Sequence, residues 1–277
     1  MTESAFMDKI GAMRFSLPGK SAVAAVNLVT GDAFSWNGDE IFPSASIIKL
    51  PILCTAYAMA ESGELSLSDR IEVTDAAKTG GDGVMRLMQP GLCPTLHDLM
   101  TLMIILSDNM ATNMVVDAVT PQRIHEFLES RGLTRIRWRR KMMDAAAMAA
   151  GIENEAAAGD VTELLKGLAM GTLLSPAHCR DALDILSRQQ INHKLPRRLW
   201  KPYDHDFERE EIKIAHKTGD IPGLEHDAGV FTGPGFSFVL TVMTLGPREP
   251  QQSVKQWDFI GAVAEEFVRY WDPQFRS

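Results

Sequence analysis

Residues 236–245, Phe-Ser-Phe-Val-Leu-Thr-Val-Met-Thr-Leu, form a run in which β-branched and aromatic residues dominate. This composition predicts a β-strand, and two further strands are predicted before it, over 211–217 and 226–231. Near the other end of the chain, 23–29 and 33–36 flank a Gly-Asp turn and predict a hairpin. Because antiparallel strands can pair across any sequence distance, we predict one antiparallel sheet built from both chain ends.

The middle of the chain, from about residue 46 to residue 190, has an almost wholly helical pattern. Two amphipathic helices are predicted outside it, over 3–14 and 254–271. We therefore predict an α+β fold, in which an antiparallel sheet flanked by helices is joined to an all-helical domain. The sheet domain is assigned to 1–45 and 205–277, and the helical domain to 46–204. The helices predicted in the middle segment are 46–62, 95–106, 109–119, 121–130, 160–170 and 176–187.

The composition is typical of a globular protein, with 277 residues of which 45% are hydrophobic and 23% are charged. The net charge of -8 argues against nucleic acid as a partner, and the basic run 135–141 is interpreted as an edge strand or a solvated loop. No apolar run is long enough to span a membrane. Residues 1–20 lack the apolar core of a secretory signal, which indicates a cytoplasmic protein as written, or a periplasmic one if a leader was removed.

Neither a disulfide nor a metal site is predicted. The three cysteines Cys54, Cys93 and Cys179 are widely spaced, and Cys54 lies in an apolar helical run where a small core residue is expected. The seven histidines show no ligand spacing, and the chain has neither a phosphate loop nor a dinucleotide fingerprint. We therefore expect no metal and no cofactor.

Three short strings occur in one order along the chain: Ser46-Ile47-Ile48-Lys49, then Ser107-Asp108-Asn109, then Lys217-Thr218-Gly219. An S-x-x-K pattern should occur by chance about once in a chain of this length, and either tripeptide roughly once in tens of chains. Each string also has a structural interpretation: Lys49 as a surface lysine, 107–109 as a capped loop, and 217–219 as a strand followed by a turn. Together, in this order, they favour a serine acyl-transfer site.

The first string supplies a nucleophile and a base. Residues three apart share a helix face, so the Lys49 amine should reach the Ser46 hydroxyl, which needs a base to become nucleophilic. A free lysine has a pKa of about 10.4, so Lys49 must be buried or near another cation to act as a base. The neighbouring apolar residues should supply the burial, and Lys217 the second cation. Ser46 at a helix N-terminus also offers its own N–H to an oxyanion.

The other two strings supply groups that handle the substrate. The Ser107 hydroxyl can relay a proton to a leaving nitrogen, and the Asn109 amide can hold a substrate carbonyl. Lys217-Thr218-Gly219 should end an alternating strand, and an edge strand of this kind can pair with an extended substrate and bind its carboxylate. The N–H of Asp220 would complete an oxyanion hole. His216 could tune the charge of Lys217, but an exposed strand histidine is the preferred interpretation.

These strings resemble the penicillin-recognising serine enzymes, most closely the class A β-lactamases. The resemblance covers nearly the whole chain, and it includes Met110-Ala111-Thr112-Asn113 and His226-Asp227-Ala228 at the family's distances. It implies a sheet domain plus an all-helical domain, and a small β-lactam-like substrate that carries a carboxylate. A monomer without membrane or nucleic-acid partners is expected.

By that resemblance, Ser46 would be the acylated nucleophile, Lys49 its base and Ser107 the proton shuttle. The substrate would be contacted by Asn109, Lys217 and Thr218, with the N–H groups of Ser46 and Asp220 as the oxyanion hole.

One feature of class A enzymes is missing, namely the glutamate that activates the deacylating water. An alignment on Asn154-Glu155-Ala156 puts Ala150 at its position. The preferred alignment, anchored on both flanks, puts Arg140 there and Asp144 at a nearby asparagine position. Asp144 is the first candidate for the deacylation base, followed by Glu153 or Glu155. If Lys49 serves both steps, no further carboxylate is required.

We therefore predict a serine hydrolase that cleaves an amide or ester, including a β-lactam ring, through an acyl-Ser46 intermediate. Two alternatives remain at this point. One is a peptidase or esterase acting on a D-Ala-like or different substrate. The other is a sensor that penicillin acylates once and that does not turn over.

Overall fold

The computed structural model describes residues 2–200 and 212–272. In these residues the strands are β1 Lys20–Asn27, β2 Ala33–Trp36, β3 Ile41–Pro43, β4 Glu155–Ala157, β5 Lys213–Ile221, β6 Leu224–Gly233 and β7 Phe236–Leu245. The helices are α1 Glu3–Met13, α2 Lys49–Glu61, α3 Leu96–Ile105, α4 Asn109–Val119, α5 Pro121–Ser130, α6 Ala145–Ala149, α7 Ala158–Ala169, α8 Pro176–Ser187 and α9 Pro250–Trp271. Among them, no helix is both long and apolar enough to cross a bilayer.

The main sheet has five antiparallel strands in the order β2-β1-β7-β6-β5. Strand β1, near the start of the chain, pairs with β7 from Lys20 opposite Leu245 to Asn27 opposite Phe238. The prediction of one antiparallel sheet built from both chain ends is therefore confirmed. Strand β5, which carries Lys217, lies at an edge of this sheet.

Several predicted strand boundaries differ from the structure: β1 spans Lys20–Asn27 in place of 23–29, and the largest change is at the turn between β5 and β6. Glu211, where the first of these strands was expected to begin, lies outside the described residues, and β5 runs on to Ile221, so that residues 217–219 lie within the strand. Strand β6 likewise begins at Leu224. The cause is a two-residue turn at Pro222 and Gly223, where Gly223 has a φ of +84° that favours glycine. Because of this tight turn, β5 continues four residues past its predicted end and β6 begins two residues before its predicted start.

Both faces of the sheet are buried. Val23 and Ala25 face the aromatic core under α1 and α9, where the Phe6 ring stacks on Tyr270 at 4.2 Å. Ala24 and Val26 face the larger core around α2. Cys54 lies in that core with no exposed surface, as predicted.

Helices from the middle of the chain pack against the main sheet, and they also pack against one another. Helix α7 packs against β1 and β7, and α8 packs against β5. A short two-stranded sheet, β3 with β4, was not predicted, because three-residue strands carry too little periodicity. The predicted division into a sheet domain and a helical domain stays a prediction, and its boundary at residue 205 lies outside the described residues.

Candidate active site

The first two strings meet in a continuous chain of hydrogen bonds. The Ser107 hydroxyl donates to Ser46 Oγ at 2.8 Å, and Lys49 Nζ donates to Ser107 Oγ at 3.0 Å. Lys49 Nζ also donates to Ser107 O at 2.7 Å and to Asn109 Oδ1 at 2.9 Å. Thus Lys49 is linked to Ser46 through the Ser107 hydroxyl, whereas the helical spacing had suggested a direct contact.

The chain turns sharply just before helix α2 to place Ser46. Residues Ala45–Ile48 form one 3₁₀ turn, and α2 continues from Lys49. Ala45 has a φ of +44°, a left-handed conformation that costs an alanine free energy. Ser107 has the same feature, with a φ of +53°. Left-handed residues of this kind concentrate at functional sites, where the surrounding structure holds them in place.

Lys49 and Lys217 are both fully buried, so the interpretation of Lys49 as a surface lysine is wrong. Burial, and then the nearby charge of Lys217, lower the pKa of Lys49 well below its ordinary value. The carboxylates of Asp82 and Asp108 partly oppose that shift. Burial likewise lowers the pKa of Lys217 to about 8. Lys49 is therefore a buried amine near a second lysine, which are the surroundings that the sequence predicted for a base.

Asp108 holds the second string in place. Its Oδ1 accepts from Ala111 N at 2.9 Å and caps α4, and its Oδ2 accepts from Val84 N at 2.6 Å and Met85 N at 2.7 Å. A Cβ on Gly83 would lie 2.2 Å from that carboxylate, so only glycine fits there. Asp108 thus fixes the backbone of this segment. The side chains of its neighbours Ser107 and Asn109 point to Lys49 instead.

The third string brings β5 close to the turn that carries Ser46. A Cβ on Gly219 would lie 3.1 Å from Ile47 Cγ1 and 3.2 Å from Ser44 O, so a side chain there would press the strand away from the turn. Lys217 Nζ donates to Thr218 O at 2.9 Å. Thr218 is fully buried, and its Oγ1 has no hydrogen-bond partner among the described residues. A buried hydroxyl without a partner is suited to a ligand.

His216 is buried, so the preferred interpretation of it as an exposed strand histidine is wrong. Its Nδ1 lies 2.9 Å from Asp227 Oδ1, and its Nε2 lies 3.1 Å from Asn192 Oδ1. Gly229, opposite it on β6, provides the space, because a Cβ there would lie 2.7 Å from His216 Cβ.

Sequence reasoning missed Lys194, which fixes the far end of the third string. This fully buried lysine donates to Gly219 O at 3.0 Å and His226 O at 3.2 Å, and it pairs with the Asp220 carboxylate and with Glu225 at 2.7 Å. Burial alone would raise the pKa of Asp220, but the charge of Lys194, the hydrogen bond with Glu225 and the charge of Lys217 together outweigh burial and lower the pKa to about 2. A single lysine in a loop gave no motif from which this role could be predicted.

A cavity of about 120 Å³ opens at Ser46. Its walls include Asn109 from the second string and Asp220, which directly follows the third. The remaining lining residues are Ala45, Gly81, Asp82, Arg140, Met142, Met143, Met148, Glu153, Asn154 and Ile221.

The three candidates for a deacylating carboxylate have different surroundings. Asp144 does not line this cavity, and its Oδ1 caps α6 by accepting from Ala147 N at 3.0 Å. Glu155 belongs to β4, pairs as a bridge with Arg137 and lies 3.3 Å from the Arg139 guanidinium. Only Glu153 lines the cavity, but it is bonded to Arg140 Nη2 at 2.6 Å.

The same contacts describe the basic run 135–141. It is largely paired with acidic residues, and Arg137 within it forms a strand-like bridge with Glu155.

Comparison with known proteins places this site in a family. The sequence model of the beta-lactamase enzyme family matches residues 5–271. The chain is 28% identical over 184 residues to the beta-lactamase L2 of Stenotrophomonas maltophilia, which covers 65% of this chain and 57% of that protein. It is 30% identical over 151 residues to a beta-lactamase of Rhodobacter capsulatus, covering 51% of that protein. The chain thus spans less than two thirds of the length of these curated relatives.

Solved structures match over nearly the full length. A beta-lactamase from Sphaerobacter thermophilus has a TM-score of 0.86 and 28% identity, with 98% of each chain covered. A mutant of PBP-A, solved as an acyl-enzyme complex with penicillin G, has a TM-score of 0.84 and 26% identity, covering 97% of this chain and 96% of that one.

Proposed function

This chain belongs to the beta-lactamase enzyme family, and on that premise we propose that it is a serine hydrolase acting on β-lactams through an acyl-Ser46 intermediate. The observation that carries the proposal is the buried chain of hydrogen bonds from Ser46 through Ser107 to Lys49. It joins a nucleophile to a base whose pKa is lowered, which is the requirement for acyl transfer at neutral pH.

Acylation uses Lys49 in its neutral form. Ser107 O and Asn109 Oδ1 can only accept hydrogen bonds, so they take the two N–H donors of a neutral amine. In this form the two bonds of the Ser107 hydroxyl reverse, so that Ser107 donates to the Lys49 lone pair and accepts from Ser46. As Ser46 Oγ attacks the lactam carbonyl carbon, its proton passes to Ser107 Oγ while the Ser107 proton passes to Lys49 Nζ. The C–N bond then breaks, and the leaving nitrogen takes a proton back through Ser107.

The rest of the site binds the substrate. We propose that Lys217 binds a substrate carboxylate together with the Thr218 hydroxyl, which has no hydrogen-bond partner among the described residues. Asn109 lines the cavity, and its side-chain N–H groups would bind a substrate carbonyl. The N–H groups of Ser46 and Asp220 would stabilise the oxyanion that forms at the attacked carbonyl.

We propose that neutral Lys49 also serves deacylation, by taking a proton from water through Ser107. Asp144 is the weaker candidate, because its carboxylate caps α6 by accepting from Ala147 N. Glu153 lines the cavity, but Arg140 binds one of its oxygens.

The test compares Ser46→Ala with Ser44→Ala, a buried serine two residues away. Nitrocefin hydrolysis should be abolished in Ser46→Ala and retained in Ser44→Ala. Intact-protein mass spectrometry after exposure to penicillin G should show a short-lived adduct on the wild type and none on Ser46→Ala. Turnover that survives in Ser46→Ala contradicts the proposal, and a permanent adduct on the wild type identifies a protein that is acylated without turnover.

A further inference from the structure

Helix α3 ends at Ile105, two residues before Ser107, and its last carbonyls need partners from outside the helix. The final C=O groups of an α-helix have no N–H of their own helix to accept from. The Ile104 carbonyl accepts from Gln189 Nε2 at 3.0 Å. The Ile105 carbonyl accepts from the main-chain N–H of Gln190 at 3.1 Å. The loop that follows helix α8 therefore holds the end of α3 from which the Ser107 segment starts.

The side-chain amide of Gln189 also reaches strand β5. Because β5 is an edge strand, part of its backbone has no neighbouring strand to pair with, and Gln189 Nε2 donates to His216 O there, at 3.4 Å. The residue after His216 is Lys217. On the other side, the Ile104 carbonyl also accepts from Ser107 N at 3.4 Å. One amide thus links the backbone just before Lys217 to the backbone just before Ser107.

Gln189 is suited to this link because its amide is buried and bonded at both ends. The residue is 2% exposed. Its Oε1 accepts from Gln190 N at 3.0 Å and from Ile191 N at 3.2 Å, while its N–H groups serve the two carbonyls. An amide offers two donors and an acceptor together, which neither a thioether nor a carboxylate does. The bonding pattern therefore requires an amide at this position.

The same loop is bonded to the sheet further along its course. Asn192 Oδ1 lies 3.1 Å from His216 Nε2, and Lys194 donates to Gly219 O at 3.0 Å. The loop is therefore attached to α3 at its start and to β5 at several points. Because the second and third strings lie in different elements, their spacing depends on what joins those elements, and this loop does so.

We propose that Gln189 is a positioning residue, which holds Ser107 and Lys217 at the spacing that the reaction requires. This role rests on the proposed function, because it acts through the groups to which that function assigns proton transfer and carboxylate binding. Without the link, β5 should shift relative to α3. Lys217 would then bind a substrate carboxylate less well, and its charge would act less on Lys49.

The test compares nitrocefin, a β-lactam that carries a carboxylate, with the uncharged ester p-nitrophenyl acetate. Gln189→Met keeps a similar length and removes both donors. In this variant the ratio of the two kcat/KM values should fall about tenfold, chiefly through the loss on nitrocefin. Gln190→Met is the matched control, because that exposed side chain donates to Arg188 O at 2.8 Å and the substitution keeps the main-chain N–H. The control should keep the wild-type ratio.

The pH profile separates positioning from a loss of stability. The charge of Lys217 is one of the causes that lower the pKa of Lys49, so a more distant Lys217 should let the pKa of Lys49 rise. The increase of kcat/KM from low pH should therefore move to higher pH in Gln189→Met, with either substrate. A protein that is merely less stable, measured below its Tm, keeps the wild-type profile.

Circular dichroism identifies variants that fold, and Gln189→Glu, which has the same shape but no donors when ionised, replaces Gln189→Met if the latter does not fold. An unchanged ratio together with an unchanged pH profile overturns the positioning role and leaves the proposed function intact. An equal loss on both substrates without a shift of the profile also overturns that role, because it describes a purely structural glutamine. If Ser46→Ala retains nitrocefin turnover, the proposed function fails and the positioning role with it.

Discussion

At the scale of single residues, the site depends on two buried lysines with different tasks. Lys217 has a pKa lowered by burial to about 8, so it is still largely a cation at neutral pH. Burial and the nearby Lys217 lower the pKa of Lys49 well below its ordinary value, which favours its neutral form. One lysine can thus bind an anion while the other accepts a proton.

The activity should therefore depend on pH in a way that differs between substrates. For a carboxylate-bearing β-lactam, kcat/KM should fall above pH 8 by about tenfold per pH unit, as Lys217 loses its charge. An uncharged p-nitrophenyl ester should show no such fall. With both substrates the rate should increase from low pH as Lys49 loses its proton. The measurement is kcat/KM from pH 5 to 10, and an identical alkaline fall for both substrates would contradict the role of Lys217.

At the scale of elements, the site depends on how closely strand β5 approaches the turn before α2. Gly219 sets that approach, because its missing side chain would touch Ile47, Ala45 and the Ser44 carbonyl at 3.1 to 3.3 Å. Glycine is therefore required at position 219 so that β5 can pack closely against the turn before α2. These two elements carry functional groups from distant parts of the sequence.

Gly219→Ala should lower kcat/KM for nitrocefin by about tenfold or more, because a shift of a few tenths of an ångström separates Ser46 from Lys217 and Thr218. Gly11→Ala is the matched control, because no atom lies within 4 Å of its would-be Cβ in helix α1. That control should keep full activity and gain a little stability from helix propensity. Steady-state kinetics on both variants measure the effect, and wild-type activity in Gly219→Ala would refute this account of the strand's position.

At the scale of the whole molecule, the lysines reduce stability. Lys217 has a pKa of about 8 when folded, against about 10.4 for a free lysine, so between these values the unfolded chain binds more protons. The free energy of unfolding therefore rises with pH across that window. Below pH 8 the full cost of the buried charge is present, and above about pH 10.4 it has disappeared.

Lys217→Met should accordingly raise the free energy of unfolding at pH 7, on the order of 1 to 3 kcal/mol, while it weakens turnover of carboxylate substrates. The gain over the wild type should shrink as the pH approaches 10. Thermal or denaturant unfolding at pH 7 and pH 10 measures both effects. A variant less stable than the wild type at pH 7 would show that the lysine's packing and hydrogen bond outweigh the cost of its charge.

Much of this molecule could be predicted from its sequence, because local periodicity and chemical type carry the information. Such signals predicted the sheet that both chain ends build and the helix before Ser107. They also predicted that the three strings lie close together. Lys194 and the burial of His216 could not be predicted, because they depend on partners in other elements, Asp220 for Lys194 and Asp227 for His216. The indirect link from Lys49 to Ser46 likewise depends on where a second helix places Ser107.

The left-handed backbone at Ala45 and Ser107 lies at the same site as the buried amines of Lys49 and Lys217, so four energetically costly features are found in one place. In a laboratory evolution experiment that selects only for heat tolerance, substitutions at these four positions should be enriched early, and they would yield robust proteins without activity. Engineering a more durable version would therefore require a screen that scores hydrolysis in every round.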